Sequence, residues 1–238
     1  MGVHTSKNYE VELENLRTRV MTMGGRVESQ VRLAILSYSE EDIQLAQQVL
    51  LTEREINQEQ LATDQMCSEV IALRQPAAKD LRLLLGVIRT ISDLERIADQ
   101  AAKIAKLVIR NENRGSLPRI HGIFQAAEMA MTMLRKALDA FTREDGPAAR
   151  EVMGSDSALD QQYIASMRQL ITYMMEDPRT ISLATHLLFV AKNLERLGDH
   201  ATNIAEQVVY LVRGVYLGED RPKGDATSST AIPYETAK

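Results

Sequence analysis

The chain has 238 residues, of which 45% are hydrophobic and 26% are charged, a balance typical of globular proteins with one large or two smaller domains. Its net charge of -5 argues against a general nucleic-acid binder, which would carry a basic face. Aromatic residues make up only 4% and Trp is absent, so the composition favours helices over sheets.

A single cysteine, Cys67, excludes an internal disulfide and fits a reducing compartment, so we expect a cytoplasmic protein. We interpret Cys67 as a small core residue rather than a nucleophile, because it lies within a helical pattern. The opening stretch MGVHTSKNYEVELENL lacks the apolar core of a signal peptide. The sequence also lacks an apolar run of about 18 residues, so we expect no membrane-spanning segment.

Turn signals and charged caps divide the chain into six long helices. The stretches SEED at 39–42 and REDGP at 143–147 have the Ser or Asp caps and acidic first turns that begin helices. Pro76 and Pro178 each follow a long periodic run and suit the first turn of the next helix. The stretch NENRGSLP at 111–118 is a strong linker signal. The predicted helices lie near 7–38, 41–74, 77–112, 118–141, 147–176 and 179–213.

The chain contains an internal duplication. The segment 93–109, which begins DLERIADQAAKIA, matches 193–209, which begins NLERLGDHATNIA, at eight of seventeen positions. The match extends backwards at an offset of 103, where 40–61 aligns with 143–164. Long helices with short connections pack antiparallel, so we predict an all-α fold of two tandem, similar three-helix bundles. The predicted units are a first bundle at 7–113, a second bundle at 117–214 and a flexible polar tail at 215–238.

Each copy carries a pair of acids on its third helix. Glu95 and Asp99 follow Ile88 by seven and eleven residues, which places both acids close to the apolar stripe of the helix. Glu195 and Asp199 repeat the pair in the second copy. Carboxylates near a buried stripe must be protonated, ion-paired or bound to metal. Ion pairing has candidates within reach on the same helix, namely Lys103 and Lys192.

The second helix of each copy adds a further pair of oxygen ligands. The aligned positions are Glu53 and Asn57 in copy one, and Asp156 and Asp160 in copy two. Pairs that face each other across a helix interface would supply four to eight oxygens. Hard or borderline cations prefer such oxygen ligands, and Mg²⁺, Mn²⁺, Ca²⁺ and Fe³⁺ are the candidates, with Zn²⁺ as a further one.

Other catalytic signals are weak. The histidines at positions 4, 121, 186 and 200 form no HExxH or ExxH arrangement. We interpret His200 as a surface group, or as one that contacts a metal ligand, rather than as a ligand itself. Two alternatives to a binding module stay open, namely a carboxylate-metal hydrolase or oxidase that uses the same acids, and a purely structural bundle with ion-paired acids. The missing His ligands and the missing nucleophile weigh against the enzyme.

Four motifs resemble the PhoU family of bacterial phosphate-signalling regulators. They are VMTMGG at 20–25, RQPAAKDLR at 74–82, DLERIAD at 93–99 and LLFVAKNLERLGDHATNIAE at 187–206. The resemblance covers residues 7 to 214 and implies two similar three-helix bundles. It also implies metal clusters at the bundle surfaces, held by Glu95, Asp99, Glu195 and Asp199 with Glu53, Asp156 and Asp160. Asn57 departs from the acid that the family pattern implies at this position, so we expect the first site to bind metal less tightly.

The resemblance further implies a role without catalysis. Such proteins act as negative regulators of phosphate uptake and of the phosphate-starvation response when phosphate is plentiful. The implied partners are the PAS region of a sensor histidine kinase and the ATPase subunit of the high-affinity phosphate ABC transporter. The resemblance also implies a homodimer that is cytoplasmic and peripherally associated with membrane partners.

Overall fold

The computed structural model describes residues 2–110 and 120–215, with side chains described from residue 8 onward. These ranges contain six long α-helices and one 3₁₀ turn. The predicted ends agree closely with the observed ones, except that the first helix begins earlier than residue 7. The helices are α1 Gly2–Glu40, α2 Ile43–Arg74, α3 Ala78–Arg110, α4 His121–Arg143, α5 Gly146–Glu176 and α6 Ile181–Arg213, with the 3₁₀ turn Pro178–Thr180 before α6.

The helix starts predicted from acidic caps are confirmed. The Asp42 carboxylate accepts hydrogen bonds from the backbone N–H groups of Gln44 and Leu45, which would otherwise lack partners in the first turn of α2. The Asp145 carboxylate accepts in the same way from the Ala148 N–H at the start of α5. Both loops are short, so consecutive helices turn back on each other and pack antiparallel.

The two prolines behave differently from each other. Pro178 opens the 3₁₀ turn that leads directly into α6, as predicted. The prediction for Pro76 is wrong, because α3 begins only at Ala78 and Pro76 lies in the connection after α2. The chain turns there through two residues with positive φ, Gln75 at 49° and Ala78 at 48°. Residues with positive φ do not have the right-handed helical conformation, so the helical hydrogen bonds of α3 begin only after this turn.

Each repeat forms a three-helix bundle, α1–α3 and α4–α6, as predicted from the duplication. Both third helices bury an unbroken stripe at matching positions. Leu94, Ile97 and Ala101 of α3 have no exposed surface, and neither have their counterparts one hundred positions later on α6. Burial of apolar side chains along the whole length of each helix supplies the main stabilising free energy of the bundles.

The two bundles contact each other through α3 against α6 and through α1 against α4. Asn203 in the second half of α6 contacts Asp93 in the middle of α3, and Leu211 near the end of α6 contacts Gly86 near the start of α3. The two helices therefore run antiparallel and cross near Ala98 and its counterpart Gly198. This arrangement gives the pair an approximate two-fold relation, in which each position of α3 corresponds to the α6 position one hundred residues later.

Two predicted segments lie outside the described residues. The linker at 111–118 falls entirely outside them, and the tail at 215–238 does so except for its first residue. The bounds 7–113 and 117–214 of the two units remain predictions. Cys67 is fully buried among core residues, and this burial raises the pKa of its thiol to about 12, in agreement with a packing role.

Candidate functional site

One member of the acid pair in the second copy, Glu195, is deeply buried. Glu195 on α6 is only 5% exposed, and its Oε1 atom accepts a hydrogen bond of 2.7 Å from the Lys192 ammonium. Burial raises the pKa of Glu195, the Lys192 hydrogen bond opposes that rise, and the negative charges of Asp199 and Asp160 add to it. The effect of Asp160 places α5 and α6 acids within electrostatic reach of each other, as the aligned sequences predicted.

The α5 acids of this copy are buried in the same interface. Asp156 and Asp160 are both buried, and the Thr202 hydroxyl of α6 donates a 3.1 Å hydrogen bond to Asp156 Oδ1. The second oxygen of Glu195, Oε2, is buried and has no hydrogen-bond partner among the described residues. A buried carboxylate oxygen without a donor is costly, and a proton or a cation would remove that cost.

Gly198 explains how α5 comes so close to α6. A Cβ atom at Gly198 would collide with the Leu159 side chain of α5, so the close approach needs the missing side chain. Leu159 lies one turn from Asp156 and next to Asp160, and Gly198 is one residue before Asp199. The small residue therefore sets the distance between the α5 acids and the α6 acids.

The acid pair of the first copy is more open. Asp99 Oδ2 lies 2.7 Å from the Lys103 ammonium, and both side chains are partly exposed. Burial raises the pKa of Glu95, with smaller contributions in the same direction from the charges of Asp99 and Glu53, while Arg96 and His200 oppose the rise. Glu53 of α2 is therefore within electrostatic reach of the α3 pair, as predicted.

Asn57 occupies the position where the second copy has Asp160. Its Oδ1 atom is buried and has no hydrogen-bond partner among the described residues. An amide oxygen can bind a hard cation, but it contributes no negative charge. The first site thus has one carboxylate fewer than the second at the aligned positions, and it is more exposed.

The donor sets fit a hard cation in their chemistry but are not assembled as a finished metal centre. Among the residues that the structure describes, no three His, Cys, Asp or Glu side chains form a group that could hold a metal ion. Lys192 and Lys103 bind one acid in each copy, which is the ion pairing that the sequence left open. The oxygens of Glu195 and Asn57 that lack partners are the atoms that a cation would satisfy.

A polar contact between the bundles was not predicted. His200 Nδ1 lies 2.9 Å from Asp93 Oδ1, and the Asn203 amide donates a 3.1 Å hydrogen bond to the same oxygen. The His200 ring joins α6 to α3 and is largely buried, so the interpretation as a surface group is wrong, and the alternative that it contacts a metal ligand stays a prediction. The signal in the sequence was the polar residue Asp93 at the start of a buried stripe, aligned with Asn193.

None of the helices in the described ranges combines the length and the apolar character that crossing a bilayer requires.

The helices and their acids form two copies of one arrangement, and both copies match a known family model. The model of the PhoU domain matches residues 20–108 and again residues 123–208.

Relatives match over almost the full length of the chain. The protein named phosphate-specific transport system accessory protein PhoU homolog from Pseudomonas putida is 43% identical over 98% of this chain and 93% of the relative. The protein named phosphate-specific transport system accessory protein PhoU from Escherichia coli (strain K12) is 40% identical over 90% of this chain and 89% of the relative.

Solved structures show the same architecture. The crystal structure of PhoU from Pseudomonas aeruginosa superposes with a TM-score of 0.84 at 42% identity, and covers 87% of this chain and 100% of the solved chain. The crystal structure of the phosphate transport system regulatory protein PhoU from Streptococcus pneumoniae gives a TM-score of 0.82 at 29% identity, over 88% and 99% of the two chains.

Proposed function

Because the chain belongs to the PhoU family, we propose that it regulates phosphate transport as an accessory protein of a phosphate-specific transport system. The observation that carries the proposal is the 40–43% identity to accessory proteins of this name over at least nine-tenths of the chain. The regulation is negative, and it acts on phosphate uptake and on the phosphate-starvation response when phosphate is plentiful.

In this proposal the chain works as an adaptor. One partner is the PAS region of a sensor histidine kinase, and the other is the ATPase subunit of the high-affinity phosphate ABC transporter. The protein acts as a homodimer in the cytoplasm, at the membrane face where these partners lie. The relatives' names describe accessory and regulatory proteins, which supports a binding role rather than an enzyme.

The acid clusters would hold divalent or ferric ions, with Mg²⁺, Mn²⁺, Fe³⁺ and Zn²⁺ as candidates. Glu195, Asp199, Asp156 and Asp160 would form the second site. Glu53, Asn57, Glu95 and Asp99 would form the first. A bound ion would neutralise the acids and join the second and third helices of each bundle, so its role would be structural or regulatory.

The function is tested by deleting the gene in its own bacterium and measuring a phosphate-starvation reporter and phosphate uptake in phosphate-rich medium. We expect both to rise, and to return to normal when the intact chain is supplied. A reporter and an uptake rate that stay repressed without the chain would contradict negative regulation. Co-purification with the kinase and with the ATPase subunit, each tested separately, checks the adaptor role.

A further inference from the structure

A concave surface lies where the second half of α3 passes the first half of α6. Its volume is about 400 Å³, which is within the range of small-molecule sites. Most of its polar lining is basic, and none of its lining residues is an acid. We call it the basic cleft, and it is lined by Lys103, Lys106, Leu107, Arg110, His186, Phe189, Asn193 and Arg196.

The duplication provides an internal comparison for the basic cleft. The approximate two-fold relation between α3 and α6 places an equivalent surface at the other end of the crossing. There, Lys103 is replaced by Asn203, and Lys106 by Glu206. The remaining replacements are Gln207 for Leu107, Tyr210 for Arg110, Gly86 for His186, Arg89 for Phe189, Asp93 for Asn193 and Arg96 for Arg196.

The comparison shows that the positive charge belongs to one end only. The equivalent surface has two arginines balanced by Asp93 and Glu206, whereas the basic cleft has two lysines and two arginines and no acid in its lining. The shared scaffold does not require this charge, because the other end of the same crossing packs without it. Four cations on one small surface repel each other unless something neutralises them.

Most of these cations have no protein partner in the described part of the chain. Lys103 pairs with Asp99 at 2.7 Å, but Lys106, Arg110 and Arg196 form no ion pair there. A cation in the last turn of a helix interacts favourably with the helix dipole, which explains Arg110 at the end of α3. It does not explain Arg196, which lies in the middle of α6.

The spacing of the cations indicates the shape of the ligand. Lys103, Lys106 and Arg110 lie three and four residues apart on one face of α3, so their Cα atoms span about 10 Å. Arg196 faces them from α6. A single phosphate would contact only part of this row, whereas a chain of linked phosphates could contact most of it. Arg and Lys side chains bind phosphate oxygens through strong, charge-assisted hydrogen bonds.

The α6 wall adds a flat apolar group and polar atoms. Phe189 is 56% exposed at the cleft, an unusual position for a large aromatic ring in a chain with few aromatics. His186 Nδ1 is buried and has no hydrogen-bond partner in the described ranges. A ring available for stacking beside a row of cations suits a nucleotide base that is joined to its phosphates.

We propose that the basic cleft binds an oligophosphate group, meaning two or more linked phosphates, either free or as part of a nucleotide. Lys106, Arg110 and Arg196 contact the phosphate oxygens, and Phe189 stacks on the base when a nucleotide supplies them. The cleft touches the first acid cluster only through the Lys103–Asp99 ion pair, its proposed phosphate contacts come from other residues, and it does not depend on the adaptor role, so either proposal can fail without the other.

Isothermal titration calorimetry with the full-length chain tests this site. The protein is first stripped of metal with a chelator and then desalted, because a metal on the acid clusters could also bind phosphate. The probes are sodium tripolyphosphate, ATP and orthophosphate at about 0.1 M salt, where surface charges are partly screened. We expect tripolyphosphate and ATP to bind one per chain, and orthophosphate to bind at least about tenfold more weakly because it reaches fewer cations.

The key variant is the double substitution Lys106→Glu and Arg110→Glu, which gives the first position the charge that Glu206 has in the equivalent surface. We expect both oligophosphates to bind at least about tenfold more weakly, since two contacts are lost and two repulsions added. Arg32→Glu is the control for a charge reversal elsewhere on the surface, because Arg32 is exposed on α1 and does not line the cleft. The affinity of the Arg32→Glu variant for both oligophosphates should stay within about twofold of the wild-type affinity. Melting curves verify that both variants are folded.

The Phe189→Ala variant distinguishes the two sources of the phosphates. If ATP binds more tightly than tripolyphosphate and Phe189→Ala removes the difference, the ligand is a nucleotide. If the two probes bind equally, the cleft recognises the phosphate chain alone, and either result supports the site. The proposal is overturned if neither probe binds at millimolar concentration, if the double variant binds normally, or if Arg32→Glu weakens binding as much. It is also overturned if orthophosphate, or a polyglutamate peptide titrated as a polyanion without phosphate, binds as tightly as tripolyphosphate.

Discussion

Asp93 of the first bundle and His200 of the second bundle are 2.9 Å apart, and Asn203 donates a hydrogen bond to the same Asp93 oxygen. All three side chains are at least partly buried at the α3–α6 crossing. This cluster is a polar link between the two bundles at the crossing of α3 and α6. Its position suggests that it stabilises one particular packing of the two bundles.

We therefore expect Asp93→Ala to lower the free energy of unfolding by about 1–3 kcal/mol, because His200 and Asn203 lose their acceptor in a buried setting. Urea unfolding measures the change. Asn193→Ala at the equivalent position is the control and should cost less, since the Asn193 side chain forms no hydrogen bond with another residue of the described ranges. A double-mutant cycle of Asp93 with His200 should give a coupling of at least about 0.5 kcal/mol. A coupling near zero would show that the contact does not hold the bundles together.

Glu144, at the end of α4, joins the second bundle to both α1 and α3. Its carboxylate lies 2.6 Å from the Arg17 guanidinium and 2.9 Å from the Lys79 ammonium. Hydrogen bonds from Lys79 and Arg17 lower the pKa of Glu144 below its ordinary value. A lowered pKa in the folded state means that the stabilisation is complete above the unfolded-state pKa of about 4.3 and is lost as the pH falls through the folded value.

The Glu144→Gln variant should consequently be less stable than the wild type by about 1 kcal/mol at pH 7, and the difference should shrink as the pH falls below about 4. Urea titrations at several pH values measure the difference. Asp139→Asn removes an acid from the exposed pair with Arg143 and should change stability by less than about 0.5 kcal/mol. A Glu144→Gln difference that is constant from pH 7 to pH 3 would contradict the role of the charge.

Gly198 and Gly154 offer a matched pair of glycine substitutions within the second bundle. A Cβ at Gly198 would collide with Leu159, whereas a Cβ at Gly154 would meet nothing within 4 Å. We expect Gly198→Ala to destabilise the protein by about 1–3 kcal/mol, because the higher helix propensity of Ala offsets only part of the cost of the collision. Gly154→Ala should stabilise it by about 0.5–1 kcal/mol. Thermal unfolding of both variants measures these changes in stability. Equal changes for the two variants would show that Leu159 moves aside without cost.

Local spacing was enough to predict some of these contacts, while others depend on how the helices cross. The pairs of Lys103 with Asp99 and Lys192 with Glu195 could be named in advance as candidates, because residues three or four apart on a helix lie close together. The contact of Asp93 with His200 joins positions 107 residues apart, so no helical period encodes it. The basic cleft leaves no trace in the identities between the two repeats, because its signal lies in the aligned positions that differ in charge.

The two acid clusters should bind metal with different affinities. The second cluster has four acids and the first has three with Asn57, and more ligand charge strengthens the binding of hard cations. Calorimetry with Mn²⁺ should therefore show tighter binding at the second cluster. The aligned positions allow a reciprocal test, in which Asn57→Asp strengthens the first site and Asp160→Asn weakens the second. Equal affinities in the wild type, or no response to the exchange, would argue against metal sites built from these residues.

The last prediction separates the two roles left open for Asp199, a metal ligand or a structural acid. A ligand that binds only the folded state stabilises it by RT ln(1 + [L]/Kd), which is about 2.7 kcal/mol at a hundredfold excess over Kd. If Asp199 binds metal, Asp199→Ala should lose most of the rise in melting temperature that Mn²⁺ or Mg²⁺ gives the wild type. Without metal the variant should lose little stability, because removal of the Asp199 carboxylate relieves the repulsion that it exerts on Glu195. Melting curves of both proteins, each with chelator and with metal, measure the difference. A variant that is destabilised equally under both conditions would assign Asp199 to structural ion pairing instead.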